Sequence, residues 1–274
     1  MTDARARAKP LGVFDSGLGG LTVVHALREV LPAEEIIYLG DTARVPYGTK
    51  GPATVIRYAL GCAKKLVAED VKAIVIACNT VSAVAPERLR VELDLPVLGV
   101  IDPGARAAVA ASKTGRIGVL ATAGTIASGA YTRAVQSLST RVEVFGQAAP
   151  LLVPLAEEGW TEGEVPRLAV RRYLEPLARA KVDVVVLGCT HYPLLRPVIE
   201  HEAREMLGPD VKVVDSARAM AQDVNDFLYA RDLAATPGRR GALRLQVTDV
   251  PKQFAEVAGR FLSETPPEVE QIDL

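Results

Sequence analysis

Short runs of β-branched and aliphatic residues alternate along this chain with longer amphipathic stretches, and no other feature constrains the fold as tightly. The apolar runs fall at 12–14, 36–39, 73–77, 97–100, 117–120, 142–145, 182–187 and 211–214. They are apolar almost throughout rather than at alternate positions, which is the pattern of strands covered on both faces. Between them lie amphipathic stretches such as 53–69 and 167–180, where apolar residues recur at helical spacing. Strands alternating with helices predict an α/β chain, doubly wound, with mainly parallel sheets. A further run at 242–247 follows the turn-rich Pro237-Gly-Arg-Arg-Gly241 and leads into a last helix. This tail reads as an appendage without chemistry.

The length, 274 residues, allows one large domain or two modest ones. An internal echo favours two. Val71-Lys-Ala-Ile-Val-Ile-Ala-Cys78-Asn-Thr80 and Val182-Asp-Val-Val-Val-Leu-Gly-Cys189-Thr-His191 each run from an apolar strand through a small residue to Cys and then polar groups. Their separation is 111 residues (189 minus 78), about the size of one small α/β domain. Two related lobes with one cysteine each follow.

In open α/β sheets ligands sit beyond the carboxyl ends of strands, and Cys78 and Cys189 both fall there. A free cysteine is by default a small buried hydrophobe, and Cys62, mid-helix among Ala and Leu, reads that way. Two cysteines at matched strand ends, each followed by hydroxyl or amide side chains, point instead to chemistry. Two unbonded thiols on opposing lobes can act on opposite faces of one carbon: one thiolate takes a proton while the other thiol delivers one. The centre inverts, and the pair titrates as one coupled unit. Three cysteines in all are too few for a disulfide framework. Zinc on Cys78, Cys189 and His191 is a rival, although neither a C-x₂-C nor an H-x₃₋₅-H pair supplies the usual ligand spacing. So is a two-lobed protein that closes on an anionic ligand without chemistry.

The flanking residues divide. Val13-Phe14-Asp15-Ser16-Gly17-Leu18-Gly19-Gly20 is a strand and a glycine-rich turn that can cradle an anion. It lacks the G-x-G-x-x-G spacing of a dinucleotide site, and it reads equally as a tight corner. Asp15 can orient or accept a proton. The loop Gly40-Asp-Thr-Ala-Arg-Val-Pro-Tyr-Gly48 lies where binding loops commonly lie, or is a turn with a half-buried tyrosine. His191, two residues past Cys189, can assist proton transfer. His25, His201 and Trp160 take structural readings.

Bulk properties narrow the partners. A formal net charge of -1 and 5% aromatic residues argue against surfaces built for nucleic acid or anionic membranes. Residues 1–10 have no apolar core of the secretory kind, and no apolar run reaches the length of a membrane span. A cytoplasmic protein acting on a small molecule is expected.

Taken in order, several of these motifs resemble glutamate racemase, within the aspartate/glutamate racemase group. They are Asp15-Ser-Gly-Leu-Gly-Gly20, Gly40-Asp-Thr-Ala-Arg-Val-Pro-Tyr-Gly48, Ala77-Cys-Asn-Thr80, Gly99-Val-Ile-Asp-Pro-Gly104, Ala121-Thr-Ala-Gly-Thr125, Gly188-Cys-Thr-His-Tyr-Pro193 and Asp215-Ser216. The resemblance spans roughly 11–230. It implies two pseudosymmetric lobes, 1–98 with 210–274 and 99–209, around a cleft. It implies that Cys78 takes the proton from D-glutamate and Cys189 from L-glutamate, assisted by Asp15, His191 and Glu157. Asp15, Ser16, Tyr47, Gly48, Asn79, Thr80, Thr190 and His191 correspond to substrate-binding positions, with Thr122 and Thr125 beside them. It further implies no cofactor and no metal, D-glutamate destined for bacterial peptidoglycan, and a possible homodimer. Asp102 stands where relatives often carry Glu, a shorter reach that concerns packing rather than chemistry. Aspartate as substrate is the alternative within the same group.

Overall fold

A computed structural model describes residues 4–274, folded around two parallel sheets. The strands are β1 (Leu11–Asp15), β2 (Ile36–Gly40), β3 (Ala73–Ile76), β4 (Val97–Gly99), β5 (Arg116–Ala121), β6 (Glu143–Ala148), β7 (Val184–Gly188), β8 (Lys212–Asp215), β9 (Leu243–Val247) and β10 (Val269–Gln271). The first sheet runs β10-β9-β2-β1-β3-β4 and the second β6-β5-β7-β8, and every pairing is parallel. The α/β, doubly wound expectation is met. The short strand β10 was not foreseen; its Val-Glu-Gln sequence at a sheet edge carries no apolar run.

The apolar runs become central strands because both of their faces are covered. In β2, Ile36 and Tyr38 enter one apolar cluster while Ile37 and Leu39 enter another. In β7, Val185 and Leu187 face one layer and Val184 and Val186 the other. Each fully buried aliphatic side chain contributes roughly 1.5–3 kcal/mol, which holds these strands in the interiors of the sheets. The edge strand β6 is only partly covered.

Two expectations need correcting. Residue 210 is too early for the return to the first lobe, because β8 extends the second sheet by pairing with β7. The crossing comes with the helix Ser216–Ala230, whose Met220, Ala221, Val224 and Leu228 join the core of the first sheet. The C-terminal tail is no appendage either. β9 lies beside β2 inside the six-stranded sheet, and Phe254 and Phe261 of the helix Pro251–Leu262 are buried in the same core as Leu21 and Val24. The Pro-Gly-Arg-Arg-Gly turn hid this, since a turn-rich break marks a connection but not where the chain goes next. Trp160, expected to pack, is 55% exposed. Among the described residues no helix is long and apolar enough to cross a membrane.

Candidate active site

Both sheets switch winding direction between their central strands, at β1/β3 and β5/β7, and such switch points open crevices at strand carboxyl ends. The two crevices meet. Cys78 lies two residues past β3 and Cys189 one past β7, and both line a single cavity of about 400 Å³. With them stand Ser16, Tyr47, Gly48, Asn79, Thr80, Thr122, Thr190, His191 and Glu157. Asp15 and Thr125, both 1% exposed, sit behind this lining rather than in it.

On one bank, Asp15 ends β1, and its Oδ2 accepts from the backbone N–H of Gly20 at 2.8 Å and of Gly17 at 3.3 Å. Gly20 has to be glycine here: a Cβ would lie 2.5 Å from the Asp15 Cβ. Cys78 Sγ is 3.6 Å from Ser16 Oγ. Burial, reinforced by the charge of Asp15, pushes the Cys78 thiol well above its ordinary range. The charge of Cys189 contributes in the same sense, so the two sulfurs sense each other electrostatically.

On the other bank, Cys189 Sγ lies 3.8 Å from His191 Nδ1, and His191 Nε2 lies 2.9 Å from Glu157 Oε1. Burial opposes a charged imidazole, but hydrogen bonds to Cys189 and then Glu157 outweigh it and push His191 up to about 10. The chain closes tightly here too, since a Cβ at Gly19 would meet Thr190 Oγ1 at 2.3 Å and His191 Nδ1 at 2.5 Å. Thr22 holds the Thr190 carbonyl at 2.9 Å.

Hydroxyls join the two banks. Thr80 Oγ1 is 2.9 Å from Thr122 Oγ1 and 3.3 Å from Thr125 Oγ1, and Thr125 N–H donates to Thr122 at 3.3 Å. Gly48 carbonyl accepts from Gly124 N–H at 3.0 Å. Asn79 Oδ1 accepts from Tyr131 at 2.7 Å, while its Nδ2 donor is buried without a partner among the described residues. No Lys or Arg of the described residues lines the cavity. No three His, Cys, Asp or Glu side chains among them are placed to hold a metal ion, so the zinc set of Cys78, Cys189 and His191 is not assembled.

The chain as a whole is similar to known proteins. The family model for Asp/Glu/hydantoin racemase matches residues 19–224. Glutamate racemase of Geobacter metallireducens is 50% identical over 266 residues, 97% of each chain. This chain belongs to the glutamate racemase family. A crystal structure of a glutamate racemase isoform from Bacillus anthracis superposes with a TM-score of 0.92 at 36% identity, covering 98% of both chains. The glutamate racemase of Francisella tularensis, solved in complex with D-glutamate, reaches 0.89 at 36% identity over 97% of this chain and 98% of its own.

Against that family background, the cavity holds more than the motifs announced. Pro150, Val153 and Pro154 form an apolar wall beside Glu157. The set 150, 153, 154, 157 repeats at helical spacing, a signal that was available in the sequence. Asp41 was quoted only as part of a loop, yet it holds that loop together. It accepts from Tyr47 Oη, from Arg44 Nε at 2.6 Å and from Thr248 Oγ1 at 3.0 Å. Burial, then the charge of Cys62 and the bond to Asp41, push the Tyr47 phenol far up, so it stays a donor. Cys62 is fully buried, as expected of a packing residue, and burial pushes its thiol up to about 12. Asp102 is exposed in the first turn of the helix Ile101–Ala111, outside the cavity.

Proposed function

We propose that this chain interconverts L- and D-glutamate through Cys78 and Cys189 as paired acid and base, with no organic cofactor or metal. One observation carries the reading: two free cysteines at equivalent strand ends line one cavity, each with its own titratable companion. In the L-to-D direction Cys189 thiolate takes the Cα proton and the Cys78 thiol delivers one to the opposite face. In the D-to-L direction the roles exchange. His191, held protonated by its bonds to Cys189 and Glu157, is the cation beside the sulfur that this reading uses as base. Cys78, beside Asp15 and buried, rests as the neutral donor.

Substrate charge has to be met without a lysine or arginine among the described residues of the lining. The hydroxyls of Ser16, Thr80, Thr122 and Thr190 and the unpartnered Asn79 Nδ2 are the donors available to two carboxylates. Tyr47 and Gly48 shape the far end, and Thr125 orients Thr80 and Thr122 from behind. In this reading the two sheets belong to two lobes that bracket the substrate. Every side chain it uses comes from one chain, so a homodimer is not needed to complete the site. D-glutamate made in the cytoplasm would supply peptidoglycan synthesis; rescue of a D-glutamate-requiring strain checks that role.

The deciding measurement is polarimetry of L-glutamate in deuterated buffer together with NMR of the Cα proton. The wild type should lose optical rotation and exchange Cα hydrogen without added cofactor. Cys78→Ser and Cys189→Ser should each lose racemisation by about a thousandfold or more, as removal of an obligatory proton carrier does. Full racemisation in either variant would refute the two-thiol reading, and slow exchange without inversion would identify the surviving thiol.

A further inference from the structure

The C-terminal helix Pro251–Leu262 is rooted in the core of the first sheet through Phe254, Ala258, Phe261 and Leu262. Its last turn nevertheless reaches the imidazole–carboxylate pair that serves Cys189 in the second sheet. The Phe261 ring meets the His191 ring edge to face, with centroids 5.4 Å apart and planes at 85°. The next residue back, Arg260, donates from Nη1 to the Glu157 carbonyl at 2.8 Å. Its guanidinium lies flush on Gly159, where a Cβ would sit 3.1 Å from Nη1 and where φ is +75°. Glycine at 159 therefore serves both the left-handed turn and the room for arginine. Neither Arg260 nor Phe261 lines the catalytic cavity.

We propose that Arg260 and Phe261 are positioning residues for the Cys189 half of the reaction. Phe261 fixes the plane of His191, and Arg260 fixes the helix end that carries Glu157. The segment that reads in sequence as an appendage thereby couples the first sheet to the acid–base geometry of the second. Proton transfer is steep in distance, and a misplacement of about 1 Å can cost on the order of a hundredfold. A long surface arginine held by one carbonyl bond confers a part of that precision rather than all of it. The proposal rests on the two-thiol reading above and would sharpen it.

The test uses Arg260→Met, Arg260→Lys and Phe261→Leu in the full chain, with Cys189→Ser as reference. Each is assayed with L- and with D-glutamate, protonated or deuterated at Cα. Arg260→Met should lower kcat about three- to tenfold with KM changed less than about twofold, the signature of a transition-state effect. Its primary isotope effect on kcat/KM should rise for deuterated L-glutamate and fall for deuterated D-glutamate, because only the Cys189 step has slowed. Arg260→Lys retains a donor for the carbonyl and should restore most of the rate. Phe261→Leu should show the same isotope signature. Arg260 is exposed, so its variants keep the question open even if loss of Phe261 unfolds the helix. Unchanged kcat in Arg260→Met, or isotope effects that rise equally for both enantiomers, would overturn the proposal while leaving a dead Cys189→Ser to uphold the parent reading. An active Cys189→Ser would sink both.

Discussion

Matching the sheets by register compares the two banks residue by residue. Phe14 pairs with Ile76 in the first sheet, and Leu120 pairs with Leu187 in the second. Cys78 and Cys189 then occupy the same place, two residues beyond Ile76 and Leu187. Ser16 corresponds to Thr122 and Asn79 to Thr190, so the hydroxyl and amide donors are broadly repeated. The titratable companions are not repeated. Asp15 at the end of β1 corresponds to Ala121, and His191 corresponds to Thr80. The proposed two-thiol reaction needs its sulfurs at equivalent places, and the repeated backbone sets Cys78 and Cys189 there. It does not need equal thiols, and here one has an anion for a neighbour and the other a cation. Burial and Asp15 hold Cys78 as a neutral thiol, whereas the raised His191 places a cation beside Cys189.

Removing each companion tests that asymmetry most strongly. Asp15→Asn and His191→Asn should each lower kcat by about a hundred- to a thousandfold, within the range for general acid–base groups. Because the two substrates are mirror images of equal free energy, kcat/KM has to fall equally in both directions for each variant. The isotope effect separates them. In His191→Asn it should grow with Cα-deuterated L-glutamate, and in Asp15→Asn with the D enantiomer. The same enantiomer responding in both variants would mean that the two companions do not serve separate thiols.

Two adjacent glycines offer a finer probe. Gly19→Ala puts a methyl against Thr190 and His191, whereas Gly20→Ala puts one against Asp15 and Ala77. The clashes, at 2.3–2.5 Å and 2.5–2.9 Å, require movement of side chains in the first case and of strand-end atoms in the second. Activity should drop about ten- to a hundredfold in each, following misplacement of the acid–base groups. Gly19→Ala should copy the isotope pattern of His191→Asn and Gly20→Ala that of Asp15→Asn. Equal patterns would show that the turn acts on the site as one rigid piece.

Much of this was legible in the sequence because it is written in local pattern. Strands buried on both faces announce themselves as apolar runs, and cysteines at strand ends follow from those runs. The six-stranded order, with β9 inserted beside β2, was not legible. Parallel pairing is decided by helices that cover the sheet, and a residue such as Phe261 looks in sequence like any core aromatic. Asp41 was hidden for a similar reason: its partners Arg44 and Tyr47 are near, but Thr248 is more than two hundred residues away. The contact between Arg260 and Glu157 spans 103 residues and depends on how the two sheets face each other. The companions of the thiols fell between these extremes, since Asp15 and His191 sit in local motifs while Glu157 reaches His191 through tertiary structure.

The smallest effect expected is on stability, and it separates the banks by pH. His191 is raised in the folded chain, from an ordinary 6.5 to about 10, by its bonds to Cys189 and Glu157. Below about pH 6.5 the imidazole is protonated whether the chain is folded or not, and the contribution of the pair is fully present. As pH rises the unfolded chain gives up that proton first, so the contribution shrinks and is gone once pH passes through about 10. Cys78 is also raised, by burial and then Asp15, but from an ordinary 9.0. Its neutral thiol therefore contributes no pH dependence until the unfolded chain begins to ionise near pH 9. The difference in Tm between wild type and His191→Gln should thus shrink steadily from pH 6.5 upward, while that between wild type and Cys78→Ala stays level until about pH 9 and only then changes. Glu157 is 44% exposed, and solvent screening holds the His191 effect to a few degrees. A His191 difference that stays flat between pH 6.5 and 9 would mean the imidazole is neutral in the folded enzyme, and Cys189 would then lack the cation that distinguishes it from Cys78.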